Sequence, residues 1–149
     1  MTENTTRTAA EAFYKASAER DIARCIALID DDVDWFVQGP VDIFSFLGHR
    51  RGKAAVLQGY RDMAQRLEFI GYQVEKLLVD GDHAAALIRL SSIVRATGNV
   101  MAIRTSQFSR FASGKIVEMH AVVDTFDMVE QTLGRPLSLV PDDRELTLA

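Results

Sequence analysis

The sequence predicts an α+β fold with helices on one side of a curved sheet. Its first part and one inserted segment carry apolar residues at helical spacing, whereas its second half consists of long, strand-like segments joined by short turn sequences. Short connections of this kind produce an antiparallel meander. Because no internal repeat, low-complexity segment or linker interrupts the 149 residues, the chain is expected to form one domain.

Three helices are predicted. The first is expected at about residues 8–19, and Asp21 can cap a second helix that has an apolar stripe. The acidic run at 30–32 is interpreted as a solvated turn that closes the second helix, because carboxylates at a helix C-terminus oppose the helix dipole. After an irregular piece, a third, amphipathic helix is expected at 53–67.

The strands are expected to be short at first and then long. Turn sequences that contain Gly81, Gly98 and Gly114 join the last four strands. The tail at 135–149 contains two prolines and is expected to run over the surface or to reach a partner subunit. The predicted strands lie at about residues 33–37, 69–79, 84–95, 100–111 and from 114 onward.

The composition argues against several classes of protein. With 17 basic and 21 acidic residues the net charge is −4, and no basic stripe with interleaved aromatic residues is present, so a nucleic-acid partner is not expected. No segment approaches the roughly 18 apolar residues of a membrane span. The N-terminus also lacks the pattern of a signal peptide. The protein is therefore expected in the cytoplasm, without a membrane partner.

The sequence offers no motif for a cofactor or a metal. It contains no phosphate-binding Gly-rich loop, nucleophile elbow or paired-cysteine zinc site, so neither a cofactor nor a metal is predicted. His49 and His83 lack metal-ligand spacing and are expected to be exposed. Cys25 is the single cysteine and lies on the apolar face of a helix, which favours buried packing over nucleophilic chemistry.

Asp124 is the leading candidate for chemistry. It follows the apolar part of GKIVEMHAVVDTFD, residues 114–127, and an acid at the end of such a strand lies where a sheet meets a cavity mouth. Partial burial there would suit its carboxylate to act as a general base. The alternative is that Asp124 is the N-cap of a final helix that begins with Thr125.

Strand alternation leaves two orientations open for this last strand. One face carries Ile116, Glu118, His120, Val122 and Asp124, and the other carries Val117, Met119, Ala121 and Val123. If the mixed polar face lines a cavity, Glu118, His120 and Asp124 converge on one ligand. If the apolar face lines it, those polar residues lie at a dimer interface or in solvent, and a β-bulge could exchange the faces partway.

The order of these features resembles the SnoaL-like branch of the superfamily named for nuclear transport factor 2, which includes the ketosteroid isomerases. The resemblance covers about residues 8–134 and rests on two helices, VDWFV after an acidic run, glycines at 48 and 52, a third helix, and strands that close with GKIVEMHAVVD. It implies a cone-shaped, curved, mixed or antiparallel sheet wrapped around three helices, with an internal apolar pocket. It also implies a homodimer that pairs through the outer face of the sheet.

Two enzyme groups of this superfamily differ from the chain at catalytic positions. The catalytic residues of the ketosteroid isomerases correspond to Phe13, Val37 and Gln107, with Tyr14 as a possible one-residue shift, which implies that steroid isomerase chemistry is absent. The limonene epoxide hydrolases are similar at Asp124 and at Arg89. Their second acid corresponds to Ser91, so their relay is incomplete here.

The polyketide cyclases of the branch use an acid and a histidine, roles that Asp124 and His120 would fill. The resemblance therefore implies a protein that binds a small hydrophobic molecule and, as an enzyme, is a cofactor-independent isomerase, cyclase or hydrolase with an interior-facing Asp124. The alternative is a noncatalytic small-molecule-binding or dimeric interaction domain. Arg104 is expected to be exposed, whereas a buried Arg104 would need an acid such as Asp124 or Glu118. Ligand contacts are predicted for Tyr14, Trp35, Tyr60, Arg89, Arg104, Phe108, Glu118 and Val122.

Overall fold

The computed structural model describes residues 2–138, which contain four helices and six strands. Two helices come first, a third separates the second strand from the last four, and the fourth follows the last strand. The helices are α1 (Glu3–Ala18), α2 (Ile22–Ala27), α3 (Lys53–Arg66) and α4 (Thr125–Leu133). The strands are β1 (Ile29–Val37), β2 (Gly48–Arg51), β3 (Leu67–Asp80), β4 (His83–Val94), β5 (Val100–Ala112) and β6 (Lys115–Val123). Most of the predicted tail, from residue 139 onward, lies outside the described residues.

The six strands form one curved, unclosed sheet in the order β2-β1-β6-β5-β4-β3. From β3 to β6 every neighbouring pair is antiparallel, which confirms the predicted meander. β1 runs parallel to β6 and antiparallel to β2, so the sheet is mixed. The predicted α+β fold with a cone-shaped sheet is thereby confirmed. Within residues 2–138, no helix is long and apolar enough to cross a membrane.

Bulges bend the long strands around the helices. β3 has two register shifts against β4, at Phe69/Gly71 and Val74/Lys76, and β6 has one against β5. Each bulge leaves one residue unpaired, increases the local twist and re-aims the neighbouring side chains. We call the face of the sheet that packs on the helices the inner face, and the opposite one the outer face.

The inner face and the helices enclose the hydrophobic core, which consists of two clusters. The larger one includes Phe13 of α1 and Ile88 of β4, and the smaller one includes Phe44 and Met101. Val37 of β1 packs against both clusters. Because full burial of one such side chain stabilises the fold by about 1.5–3 kcal/mol, these contacts hold the helices on the sheet.

The helix starts depend on side-chain caps. Asp21 caps α2 by accepting a hydrogen bond from the backbone N–H of Arg24 at 3.1 Å, as the sequence predicts. α1 begins at Glu3, earlier than predicted, because Thr2 accepts a hydrogen bond from the backbone N–H of Thr5. The first helix therefore starts almost at the beginning of the described chain.

The acidic run at 30–32 lies in a strand, so the prediction of a turn is wrong. The helix before it ends at Ala27, and β1 begins at Ile29, which pairs with β6. This pairing extends the backbone directly after the helix. Asp31 remains exposed, as expected for a solvated acid, and contacts Lys53 Nζ at 3.0 Å.

The irregular piece before α3 contains β2 and ends at a glycine that the backbone requires. Gly52 has φ +86° and ψ 154°, and its N–H donates to the carbonyl of Val33 at 2.8 Å. Side chains with a Cβ rarely adopt these angles. The guanidinium of Arg50 donates to the carbonyls of Ser45 and Ala55, at 2.8 and 3.1 Å, and so holds the piece against α3.

We expect Gly52→Ala to lower the free energy of unfolding by about 3 kcal/mol, because it forces alanine into a glycine region of backbone space. Its Cβ would also lie 3.3 Å from the carbonyl oxygen of Asp31. Gly98→Ala is the matched control, since Gly98 has φ +76° and open space around the added Cβ, and should lose only about 1–2 kcal/mol. Urea unfolding measures both values, and equal losses would contradict the prediction.

Candidate functional site

The alternation of β6 decides which predicted site residues point inward. Met119 and Ala121 are buried on the inner face, whereas Glu118 and His120 are exposed on the outer face. The bulge in β6 lets Ile116 point inward as well, although it would share the outer face in an unbroken alternation. Of the two orientations that the sequence leaves open, the apolar face therefore lines the interior.

Asp124 lies outside the interior, at the junction of β6 and α4. Its side chain is exposed and accepts a hydrogen bond from the backbone N–H of Asp127 at 3.0 Å, which makes it the N-cap of α4. The favoured expectation of an interior-facing Asp124 is thereby corrected. The physical reason is that β6 ends at Val123, so Asp124 adopts the conformation that starts the helix.

The outer face carries a concavity of about 620 Å³, which we call the outer groove. The rings of Phe36 and His120 lie on it with their centroids 5.0 Å apart, and Phe108 is 54 % exposed beside them. This groove is not the interior pocket that the resemblance implies. Its lining residues are Asp34, Phe36, His49, Leu78, Val79, Asp80, His83, Ala84, Ala85, Phe108, Ser109, Arg110, Glu118, Met119 and His120.

Ion pairs surround the groove and the rest of the outer face. Arg89 and Arg104 both donate to Glu75, at 2.9 and 3.0 Å, so the acid partner of Arg104 is neither Asp124 nor Glu118. Desolvation alone would raise the pKa of Glu75, but the two guanidinium groups lower it overall. The sequence misses this partner because Glu75 comes from another strand, where a bulge re-aims it.

Two further clusters neutralise charges at the groove. Glu118 accepts from Arg110 at 2.9 Å. Asp34 hydrogen-bonds the ring of His49, which holds the pKa of Asp34 below its usual range, and Arg51 lies 3.8 Å away. Within residues 2–138, no group of three or more His, Cys, Asp or Glu side chains is arranged to hold a metal ion.

Three tyrosines bring their phenols into the interior. Burial raises the pKa of Tyr14, Tyr60 and Tyr72, so these hydroxyls stay protonated at neutral pH and act as hydrogen-bond donors. Trp35 packs edge-on against the ring of Tyr60 at 6.3 Å and belongs to the core. Of the predicted ligand-binding residues, Tyr14, Trp35 and Tyr60 therefore face the interior.

The remaining predicted ligand contacts lie on the outer face. Their positions follow from the strand alternation, because their neighbours in sequence are the buried residues of the inner face. They cannot share one site with the three interior aromatic residues, since the sheet separates them. These outer residues are Arg89, Arg104, Phe108, Glu118 and Val122.

Within residues 2–138, three buried side-chain atoms have no hydrogen-bond partner, and two of them lie in the interior. These two are the hydroxyl of Tyr14, a residue that is 3 % exposed, and Oε1 of Gln107, whereas the third is Nε of Arg50. The Tyr14 hydroxyl approaches Ser109, which itself donates to the carbonyl of Ala84 at 3.3 Å. Gln107 and Ser109 share the inner face of β5, about 7 Å apart. The two unpartnered atoms thus lie in one part of the interior.

Gln107 is predicted from sequence only as the residue that replaces a catalytic acid of the ketosteroid isomerases. Its place as a polar group of the interior is not predicted. The signal that could find it is alternation along β5, where Met101, Thr105 and Ser109 are buried and Gln107 has the same parity. Tyr72 is missed for a different reason. Tyr72 lies between the two bulges of β3, so its parity differs from that of the strand on either side, and neither bulge is visible in the sequence.

The chain resembles known proteins in both sequence and structure. The profile of the family described as SnoaL-like domain matches residues 10–119. The comparison with curated proteins finds no match. The crystal structure of a proposed isomerase from Rhodopseudomonas palustris is 36 % identical in sequence, with a TM-score of 0.77, and the match covers 91 % of this chain and 100 % of that one.

Two more distant structures share the fold. An LEH-like epoxide hydrolase from M. tuberculosis is 19 % identical with a TM-score of 0.69, and the match covers 88 % of this chain and 91 % of that one. A proposed SnoaL-like polyketide cyclase from Mesorhizobium loti is 23 % identical with a TM-score of 0.65, and the match covers 77 % of this chain and 96 % of that one.

The cap geometry predicts how substitutions at Asp124 behave. Asp124→Ala should lower the free energy of unfolding by about 1 kcal/mol, because α4 loses its N-cap, whereas Asp124→Asn should change it by only a few tenths, since asparagine caps equally well. Chemical denaturation with circular dichroism measures the difference between the two variants. A loss of equal size in both would show that the carboxylate charge, rather than the cap, stabilises this junction.

Proposed function

This chain belongs to the SnoaL-like domain family, and we propose that it binds a small, uncharged and mainly apolar molecule inside its cone. The observation that carries the proposal is the pair of unpartnered polar atoms in the interior, on Tyr14 and Gln107. A buried polar group without a partner lowers stability by about 1–3 kcal/mol. Buried atoms of this kind in a native protein call for an explanation, and a bound molecule that completes their hydrogen bonds supplies one.

Some side chains that face the interior are more exposed to solvent than the residues of the two core clusters. Around Gln107, where the two core clusters meet, several inner-facing residues are half-buried rather than buried. Such partial exposure supports a path by which a small molecule enters between the helices and the sheet. The half-buried residues are Val37, Tyr60, Tyr72, Leu90, Ile103 and Gln107.

The chemistry of the interior favours a neutral ligand. The acids considered for catalysis, Glu118 and Asp124, lie outside it, so they offer no partner to a cationic ligand there. The protonated phenol of Tyr14 donates a hydrogen bond, and the amide of Gln107 both donates and accepts. A molecule that carries a carbonyl or hydroxyl group on an apolar body matches these groups.

A second candidate is a cofactor-independent isomerase, and the observation that favours it is the 36 % identity with the proposed isomerase from R. palustris. In such an enzyme the phenols would polarise a carbonyl of the ligand. The exposed positions of Asp124 and His120 favour noncatalytic binding over proton transfer by these two residues. Cyclase and hydrolase activities rest on structures that share only the fold, so we do not propose them.

We expect acetophenone, a neutral probe, to bind to the protein, and benzoate, an anion of similar shape, to bind much more weakly. Tyr14→Phe should reduce the affinity for acetophenone by about 10-fold, because it removes one hydrogen bond. The free energy of unfolding without probe should change by no more than about 1 kcal/mol, since the only contact that the hydroxyl loses is the one with Ser109. Calorimetric titration and urea unfolding measure the two quantities.

Tyr72→Phe is the matched control, because Tyr72 is another buried phenol of the interior and its hydroxyl lies near Ser17 rather than near Ser109 and Gln107. This variant should retain its affinity for the probe. Absence of acetophenone binding, or an unchanged affinity in Tyr14→Phe, would reject the proposed site. The same probe separates the two candidates, since an isomerase of this kind would accelerate exchange of the acetophenone methyl protons in deuterated water, whereas noncatalytic binding leaves the rate unchanged.

We also propose that the protein forms a homodimer through the outer face of its sheet. Leu78, Phe108 and Val122, on β3, β5 and β6, are 64, 54 and 43 % exposed on that face, which is unusual for large apolar side chains. Several of the charges around them are paired within the chain, as Arg110 is with Glu118. A second copy could therefore cover this part of the face while these ions keep their partners, and the same patch would serve both subunits of a two-fold dimer.

Phe108→Glu should convert the dimer to a monomer, because it places a charge in the centre of the apolar patch. Sedimentation equilibrium measures the mass, and far-ultraviolet circular dichroism checks that the variant is folded. Ile22→Glu is the control, since Ile22 is a 39 % exposed apolar residue on α2, which packs on the other side of the sheet. A wild-type protein that sediments as a monomer, or a Phe108→Glu variant that remains dimeric, is incompatible with this interface.

A further inference from the structure

The three histidines of the chain line one surface. His49, His83 and His120 are far apart in sequence, yet all three line the outer groove. They lie on β2, β4 and β6 of the same sheet, with His120 on the strand between the other two. Imidazole is the side chain whose charge ordinarily changes between about pH 5 and 8. The face proposed as the dimer interface therefore contains every such group of the chain.

His120 differs from the other two histidines in its surroundings. His49 hydrogen-bonds Asp34, and His83 Nδ1 lies 2.6 Å from the carboxylate of Asp82. Within residues 2–138, the side chain of His120 makes no hydrogen bond or ion pair, and its ring contacts the ring of Phe36. Protonation of the first two histidines is therefore balanced by a carboxylate within the same chain, whereas protonation of His120 is not.

The two acids nearest to His120 in the sheet already have partners: Asp34 pairs with His49 and Arg51, and Glu118 pairs with Arg110. Asp80 of β3, which has no ion-pair partner within residues 2–138, is separated from the strand of His120 by β5 and β4. The lining of the groove contains these charged or titratable groups: Asp34 of β1, His49 of β2, Asp80 of β3, His83 of β4, Arg110 of β5 and Glu118 of β6.

His120 also occupies the centre of the apolar patch. The register of the strands places it directly beside Phe108 of β5 on one side and Phe36 of β1 on the other, with Ala85 following Phe108 in the same row. A second copy that covers Phe108 must therefore also cover His120. In a covered position, an imidazolium without a carboxylate partner is far less favourable than a neutral imidazole.

We propose that mild acid dissociates the dimer because His120 takes up a proton that the covered interface excludes. This inference rests on the proposed dimer. Each protomer binds one additional proton on dissociation, so two protons are taken up per dimer. In the range where the monomer is protonated and the dimer is not, the dissociation constant then rises by up to about 100-fold for each pH unit. The groove thus acts as a pH-sensitive contact.

Sedimentation equilibrium at about pH 8 and about pH 5.5, near the two ends of the range in which imidazole ordinarily changes charge, tests the inference. We expect the dissociation constant of the wild-type dimer to rise by at least about 30-fold at the lower pH. His120→Asn and His120→Phe should form dimers whose dissociation constants change by less than about 3-fold, because neither side chain titrates. His120→Phe keeps the aromatic contact with Phe36 and so guards against a loss of packing in His120→Asn.

His83→Asn is the matched control, since it removes a histidine of the same groove that has its own carboxylate partner. It should keep the wild-type pH response. A dimer whose dissociation constant is the same at both pH values overturns this inference and leaves the dimer intact, whereas a monomer at pH 8 overturns both. A wild-type pH response in His120→Phe, or acid unfolding of the wild-type protein at pH 5.5 seen by circular dichroism, also overturns it.

Discussion

The pairing of β1 with β6 is the contact on which the rest of the structure depends. It joins the strands that follow the N-terminal helices to the antiparallel meander, and its parallel register aligns Trp35 with Met119 and Phe36 with His120. Because strand side chains alternate, this register decides for both strands which residues enter the core and which face outward. A slip of one residue would turn His120 inward and expose Met119.

The two faces of the sheet differ in how they treat polar groups. In the interior, between the helices and the inner face, the phenols of Tyr14, Tyr60 and Tyr72 are desolvated, so their pKa values rise and they remain neutral. On the outer face, Glu75 holds two arginines and its pKa falls. Charged side chains thus lie where water solvates them or an opposite charge pairs with them, whereas uncharged hydrogen-bonding groups lie inside.

This separation supports two roles for one sheet. β5 contributes Gln107 to the interior and Phe108, the next residue, to the outer groove. A small neutral molecule and a second copy of the chain would therefore bind to opposite faces of the same strand. Neither role uses Asp124, which stabilises the start of α4. The family supplies the fold, while the chemistry of these two faces argues for binding and assembly.

Local sequence was sufficient for the helices, most strand positions and the cap at Asp21, because periodicity and capping depend on residues only a few positions apart. The order of the predicted elements was also sufficient to identify the resemblance to the SnoaL-like family. Tertiary structure decided the orientation of Asp124, the acid partner of Arg104 and the position of all three histidines along one groove. Each of these depends on a bulge, a register or a strand neighbour, and such contacts join residues far apart in the chain, whose distance no local pattern encodes.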